Sequence, residues 1–183
     1  MSRTRSIWVG RTLTFFEAVQ PDVTYVPIGM GPGFCAAAAA RAHTGARTKL
    51  IGVVSAHATA YMDSFKARTV IESPVSTVIA DGMACRVPDQ AALDVMCTEA
   101  HDVIAVTDDE VKAAMRLLFT ATHNVAEGAG AASLAAAMQQ KDQLQSKVIG
   151  TTLCGGNVDA EVFAKILMTP SPCIFDRWFV LDK

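Results

Sequence analysis

Four short stretches of the chain hold residue types that could do chemistry. In "IGMGPGF", residues 28 to 34, Gly29, Gly31 and Gly33 fall where an apolar run stops and an alanine-rich run begins. Bare backbone there lets successive amides converge on an anion at a helix N-terminus, whose dipole favours negative charge. A tight strand-to-helix turn would use the same glycines for steric reasons alone. In "TLCGGNVD", residues 151 to 158, the Cys154 thiol precedes Gly155 and Gly156; it can be presented to a ligand at a strand end or buried as a core thiol before a turn. In "HNVAEGAGAASLAA", residues 123 to 136, Glu127 precedes an alanine-rich helix. The dipole favours acids near helix starts anyway, so stability is a sufficient reason for Glu127, and His123 reads as a local hydrogen-bonding side chain. Asp81-Gly82 is first of all a turn signal.

Two familiar phosphate cradles do not fit the first stretch. A dinucleotide fingerprint requires G-x-G-x-x-G, but Phe34 stands three positions beyond Gly31, and the next apolar strand ends Val53-Val54-Ser55 with no acid. A nucleotide P-loop ends in G-K-[ST], and Gly33 is followed by Phe34-Cys35. NAD and nucleoside triphosphates are thereby disfavoured.

These stretches must be positioned by regular elements. Apolar runs at Val23–Ile28, Lys49–Val54, Asp102–Val106 and Lys147–Leu153 predict strands. Helices are predicted over Phe34–His43, Ala58–Arg68, Ala91–Glu99, a segment opened by Thr107 and running to about Thr120, Ala131–Lys141 and Ala160–Leu167. Thr107 and Glu110 form a capping box, and Val111, Met115, Leu118 and Phe119 fall on one face of the helix behind it. Glu127–Gly130 reads as an interruption, and residues 168–183 as a tail without pattern. Strands alternating with helices predict an α/β fold, a mostly parallel sheet covered by helices, in one compact unit. Ligands in such sheets sit outside the carboxyl ends of the strands, where both glycine-rich turns fall.

Bulk properties narrow the classes. The chain has 183 residues, 51% of them hydrophobic, enough for a real core. With 16 basic and 18 acidic residues intermixed, it has no electrostatic footprint for nucleic acid or an anionic membrane. No apolar run spans a bilayer and residues 1–11 do not read as a signal peptide, which points to the cytoplasm. Cys35, Cys85, Cys97, Cys154 and Cys173 are odd in number and widely spaced, supporting neither a disulfide framework nor a zinc site.

In this order and spacing, the motifs resemble the PLP-dependent serine/threonine dehydratase family, of the tryptophan-synthase-β-like PLP fold type II. "YVPIGMGPGF" looks like its phosphate loop, "KLIGVVSAHA" the strand and turn after it, "ADGMACRVPD" the loop beside the cofactor, and "NVAEGAGAASLAA" and "LCGGNVD" the closing segments. The resemblance covers about residues 9–167, and is similar in particular to the G-x-G-S-G branch that includes hydroxyectoine-utilization dehydratases. It implies pyridoxal 5'-phosphate as cofactor, with the amides of Gly29, Met30, Gly31 and Gly33 on its phosphate. It also implies Cys154 on the pyridine nitrogen, Gly155 and Gly156 admitting the ring, and Gly82 and Glu127 in the pocket wall. The family reaction is dehydration and deamination of L-threonine or L-serine to a 2-oxo acid.

Three departures qualify this. Pro32 stands where the branch has serine, removing an amide donor and a hydroxyl, which should weaken cofactor binding by about 1–3 kcal/mol. Val54 and Ala60 stand where many relatives place an acidic pair for a divalent cation, so no metal is expected. Above all, nothing matches the family's S-x-K-x-R-G motif: Lys49, Lys66, Lys112, Lys141, Lys147, Lys165 and Lys183 all read as surface charge. That lysine anchors the cofactor and moves the α-proton. The expectation is a C-terminal portion of a dehydratase domain over residues 1–167, no catalytic residue of its own, and no ammonia-lyase activity alone. The alternative is a stand-alone non-catalytic domain that binds an anion or PLP, or pairs with a dehydratase subunit. Under either reading an apolar face left by the missing lobe predicts self-association.

Overall fold

The structure is a computed structural model, which describes residues 12–169. In chain order the elements are α1 (12–18), β1 (Val23–Pro27), α2 (Pro32–Thr44), β2 (Lys49–Ser55), α3 (Ala60–Ala67), α4 (Gln90–Glu99), β3 (Ala100–Val106), α5 (Asp108–Thr122), α6 (Gly128–Gln139), β4 (Ile149–Thr151) and α7 (Ala160–Met168). The sheet order is β3-β2-β1-β4, and every pairing is parallel. The predicted α/β class and the parallel sheet flanked by helices hold. The tail from residue 170 onward lies outside the described residues, as do residues 1–11.

Alternation along the central strands builds two cores. Val23 and Tyr25 of β1, with Ile51 and Val53 of β2, pack against α5, α6 and α7. Val26 and Ile28, with Leu50 and Val54, face the opposite way into a cluster with α1, α2, α3 and α4. With both faces covered, β1 and β2 are nearly continuous apolar runs, as parallel sheets require. Tyr25 ends its buried ring in a hydrogen bond from its hydroxyl to Gln140 Oε1 at 2.7 Å.

Helix α5 begins with the predicted capping box: Thr107 Oγ1 accepts from the Glu110 amide at 3.2 Å, and Glu110 Oε2 accepts from the Thr107 amide at 2.7 Å. On the predicted face, Val111 and Met115 are buried, Leu118 packs beside them, and Phe119 meets Phe163 of α7 edge-on at 5.5 Å. Arg116 Nη1 also donates to the Ile166 carbonyl at 3.1 Å. Helix α1 escaped the sequence reading; its Phe16, fully buried, packs into the second core.

Two other boundaries differ from expectation. Strand β4 is three residues long, Ile149–Thr151, rather than Lys147–Leu153. It ends because the backbone of Thr152 bonds to a side chain instead of a strand: Ser133 Oγ donates to the Thr152 carbonyl at 2.8 Å and accepts from its amide at 3.0 Å. Helix α6 starts at Gly128, so the stretch read as an interruption is its first turn, with Glu127 as N-cap. Gly128 and Gly130 are there for close approach: a Cβ on them would strike the Ile79 and Gly155 carbonyl oxygens.

Candidate cofactor site

The chain leaves β1 through α2 to β2 on one side, while β4 flanks β1 on the other. That reversal opens a crevice at the carboxyl ends of β1 and β4, the place where open α/β sheets bind ligands. A cavity of about 420 Å³ lies there. Its wall includes Gly29, Met30 and Gly33 from the glycine loop, Gly82 and Met83 from the turn before α4, Glu127 and Ala129 at the start of α6, and Cys154 after β4. Of the residues singled out from sequence, Gly31, Gly155 and Gly156 are not in the wall; they shape the backbone behind it.

Gly31 is the N-cap of α2 in the left-handed conformation, φ 96°, with no side-chain cap. A Cβ at Gly31 would come within 2.5 Å of the Ala92 methyl. The helix closes with Cys35 N–H donating to the Gly31 carbonyl at 3.1 Å, which leaves the Gly33 and Phe34 amides without intrahelical acceptors. Pro32 occupies the first helical position, where its fixed φ fits and where its missing amide would otherwise have pointed at an anion. Gly29 abuts the neighbouring turn so closely that a Cβ there would strike the Gly82 carbonyl oxygen.

A residue the sequence reading missed holds this loop in place. Tyr61 Oη donates to the Met30 carbonyl at 3.0 Å and accepts from the Asp89 amide at 3.0 Å, tying the loop to the start of α4. Burial pushes the Tyr61 hydroxyl up to about 12, against a modest lowering by the Asp89 amide. Asp108, another residue missed, is buried at the start of α5. It accepts from Thr77 Oγ1 at 2.8 Å and the Val78 amide at 3.1 Å, and so anchors the segment leading to Gly82. Neither residue carried a sequence signal, because its partners lie 28 or more positions away.

On the far wall, the turn after β4 is clamped to the start of α6. The Glu127 amide donates to the Gly155 carbonyl at 3.0 Å, and Glu127 Oε2 accepts from the Asn157 amide at 3.1 Å. Cys154 Sγ lies 3.7 Å from the Ala129 carbonyl oxygen, its acceptor. Burial pushes the Cys154 thiol up, Glu127 pushes it further, and a backbone hydrogen bond partly offsets both. At neutral pH it is a neutral S–H donor.

The wall carries no Lys, Arg or His side chain among the described residues. Lys49, Lys66, Lys147 and Lys165 are exposed, and Lys112 pairs with Asp109 at 2.9 Å on the surface. Two buried side-chain oxygens lack a hydrogen-bond partner, Thr24 Oγ1 and Thr152 Oγ1, and both residues line this same cavity.

The profile of the family described as pyridoxal-phosphate dependent enzyme matches residues 5–155. The chain belongs to the pyridoxal-phosphate-dependent enzyme family. The resemblance carried by the motifs therefore holds, and PLP is the cofactor of the family. This PLP-family chain is 30% identical over 168 residues to the L-threonine ammonia-lyase of Geobacter sulfurreducens, covering 88% of this chain and 41% of that protein. It is 28% identical over 153 residues to the serine racemase of Schizosaccharomyces pombe, covering 83% of this chain and 47% of the relative. The chain thus spans less than half the length of these two relatives. Among solved structures, a bacterial-type match, the T.th. threonine deaminase, superposes with a TM-score of 0.78 at 25% identity, covering 85% of this chain and 58% of that one. Maize serine racemase also gives 0.78, at 27% identity, covering 88% and 51%.

The residues present fit the family's phosphate and ring. A bare glycine cradle at a helix N-terminus suits a phosphate, and a neutral thiol across the crevice suits an aromatic nitrogen acceptor. The wall has no lysine to hold the aldehyde among the described residues.

Proposed function

We propose that this chain is the C-terminal, phosphate-cradling portion, residues 1–167, of a PLP-dependent L-threonine or L-serine ammonia-lyase, and that it has no lyase activity alone. One observation carries the reading: the crevice at the β1 and β4 ends gathers the glycine loop, Gly82, Glu127 and Cys154 around one cavity that no lysine enters among the described residues. In this reading the amides of Gly29, Met30, Gly31 and Gly33 face the phosphate, reinforced by the α2 dipole. Cys154 donates its S–H to the ring nitrogen, while Gly155 and Gly156 keep the turn low enough for the ring to approach. The cofactor, when bound, supplies an electron-accepting pyridine ring for elimination of water from the amino acid. The neutral thiol leaves that nitrogen unprotonated. Gly82 and Glu127 close the wall, and Tyr61 keeps the loop from opening. Proton removal at the substrate α-carbon needs a base that the wall does not contain. No metal takes part in this reading, and the cytoplasm is the expected location.

The test is to incubate the purified chain with PLP and L-threonine and measure 2-oxobutanoate. The expected result is none, with PLP bound reversibly and recovered unmodified after borohydride reduction and denaturation. Catalytic formation of 2-oxobutanoate by the chain alone would overturn the reading of inactivity. Failure to bind PLP would overturn the cradle.

A further inference from the structure

The turn that carries Cys154 is built around a single carboxylate. Glu127 uses both ends: its backbone amide donates to the Gly155 carbonyl at 3.0 Å, and its side-chain Oε2 accepts from the Asn157 amide at 3.1 Å. The fit leaves no slack. A Cβ on Gly155 would strike the Glu127 carboxylate, and a Cβ on Gly130 would strike the Gly155 carbonyl, so the turn is pressed onto the first residues of α6 from both directions. A helix N-cap acid ordinarily bonds the helix's own free amides. Glu127 makes no such side-chain cap, and its carboxylate reaches across to another segment instead. Stability of α6 therefore does not account for its position.

The groups facing Cys154 from elsewhere are not ionisable. The glycine loop and the turn before α4 present Gly29, Met30, Gly82 and Met83 to the cavity, and α1 presents Thr12 and Phe15. Asp81, in the same turn as Gly82, is exposed and folds back to accept from the Gly82 amide at 2.9 Å. Asp159 is exposed beyond the turn. The carboxylate of Glu127 is the charge that Cys154 meets at the cavity wall.

We propose that Glu127 is a positioning residue for the ring-nitrogen subsite: its carboxylate fixes the Cys154–Asn157 turn onto α6, and its charge keeps the Cys154 thiol a proton donor. The role in cofactor binding rests on the reading of the cavity as a PLP site; the effect on Cys154 does not. The subsite then selects a neutral aromatic nitrogen that accepts a hydrogen bond, and disfavours a pyridinium, which would need an acceptor. Burial acts on the thiol in the same direction, so the carboxylate's share has to be separated by substitution.

Two variants separate charge from clamp. Glu127→Gln keeps an oxygen acceptor for the Asn157 amide and removes the charge; Glu127→Ala removes both. In ligand-free protein, the rate of Cys154 alkylation by iodoacetamide is followed by peptide mass spectrometry from about pH 7 to about pH 10. The expected result is a rate at about pH 8 that rises roughly threefold to tenfold in both variants, as loss of a neighbouring negative charge lowers a thiol pKa by ~0.5–1. In a parallel titration with PLP, Glu127→Gln binds within about threefold of the parent while Glu127→Ala binds about tenfold more weakly. An unchanged alkylation profile in Glu127→Gln overturns the charge role. Equal PLP affinity in the parent and Glu127→Ala overturns the positioning role. If the parent binds no PLP, the cofactor reading and the positioning role fall together, and the alkylation profile still decides whether the charge governs the thiol.

Discussion

The Tyr61 hydroxyl donates to the carbonyl of Met30 across 31 residues of sequence, at 3.0 Å, and the same oxygen accepts from the Asp89 amide at 3.0 Å. One phenol thereby joins the glycine loop to the N-terminus of α4. Tyr61→Phe keeps the buried ring and removes the oxygen, leaving a carbonyl and an amide unpaired. The expected cost is about 1–3 kcal/mol in denaturant unfolding, with an unchanged m-value and weaker PLP binding. A loss below a few tenths of a kcal/mol would show that the loop is held by other means.

The same buried phenol sets an alkaline limit. Its ordinary value of 10.0 is raised by burial to about 12 in the folded chain. A raised value means that the unfolded chain loses the proton first as pH rises, so the stabilisation from keeping Tyr61 neutral is complete below about pH 10 and is lost between about 10 and 12. Unfolding free energy followed over that range should fall steeply for the parent chain and less steeply for Tyr61→Phe. Equal slopes would exclude Tyr61 as a contributor. Tyr25, also raised by burial, contributes in the same window and remains in both proteins.

Thr24 is fully buried, and its Oγ1 has no hydrogen-bond partner. Thr24→Val replaces an unsatisfied hydroxyl by a methyl of similar size. The expected outcome in the ligand-free chain is a gain of about 1 kcal/mol and a higher Tm. A lower Tm would mean that the hydroxyl is bonded in solution, by water or by a ligand filling the cavity floor.

Pro32 occupies the first position of α2 and brings no amide to the crevice. Pro32→Ser restores one donor and adds a hydroxyl at the cradle. In the proposed reading, PLP and inorganic phosphate should both bind about tenfold more tightly, a gain of roughly 1.4 kcal/mol from one more donor to an anion. Unchanged phosphate affinity would show that the anion does not sit at this helix end.

Sequence by itself determined much of the architecture. The apolar runs of β1 and β2, the alanine content of α2 and the capping box of α5 each follow from chemistry between residues close in the chain, so local rules suffice. The glycine loop and the Cys154 turn were legible too, because a strand end followed by bare backbone is a local pattern. Tertiary structure decided the rest. Only folding showed that Gly128 belongs to a helix, since the reason for it is the Ile79 carbonyl lying where a side chain would go. Only folding shortened β4, through Ser133 on α6 taking both backbone groups of Thr152. Tyr61, Asp108 and the Glu127 clamp stayed invisible for the same physical reason. Each works through hydrogen bonds to backbone groups 28 or more residues away, and a backbone amide or carbonyl leaves no mark in the sequence to announce its partner.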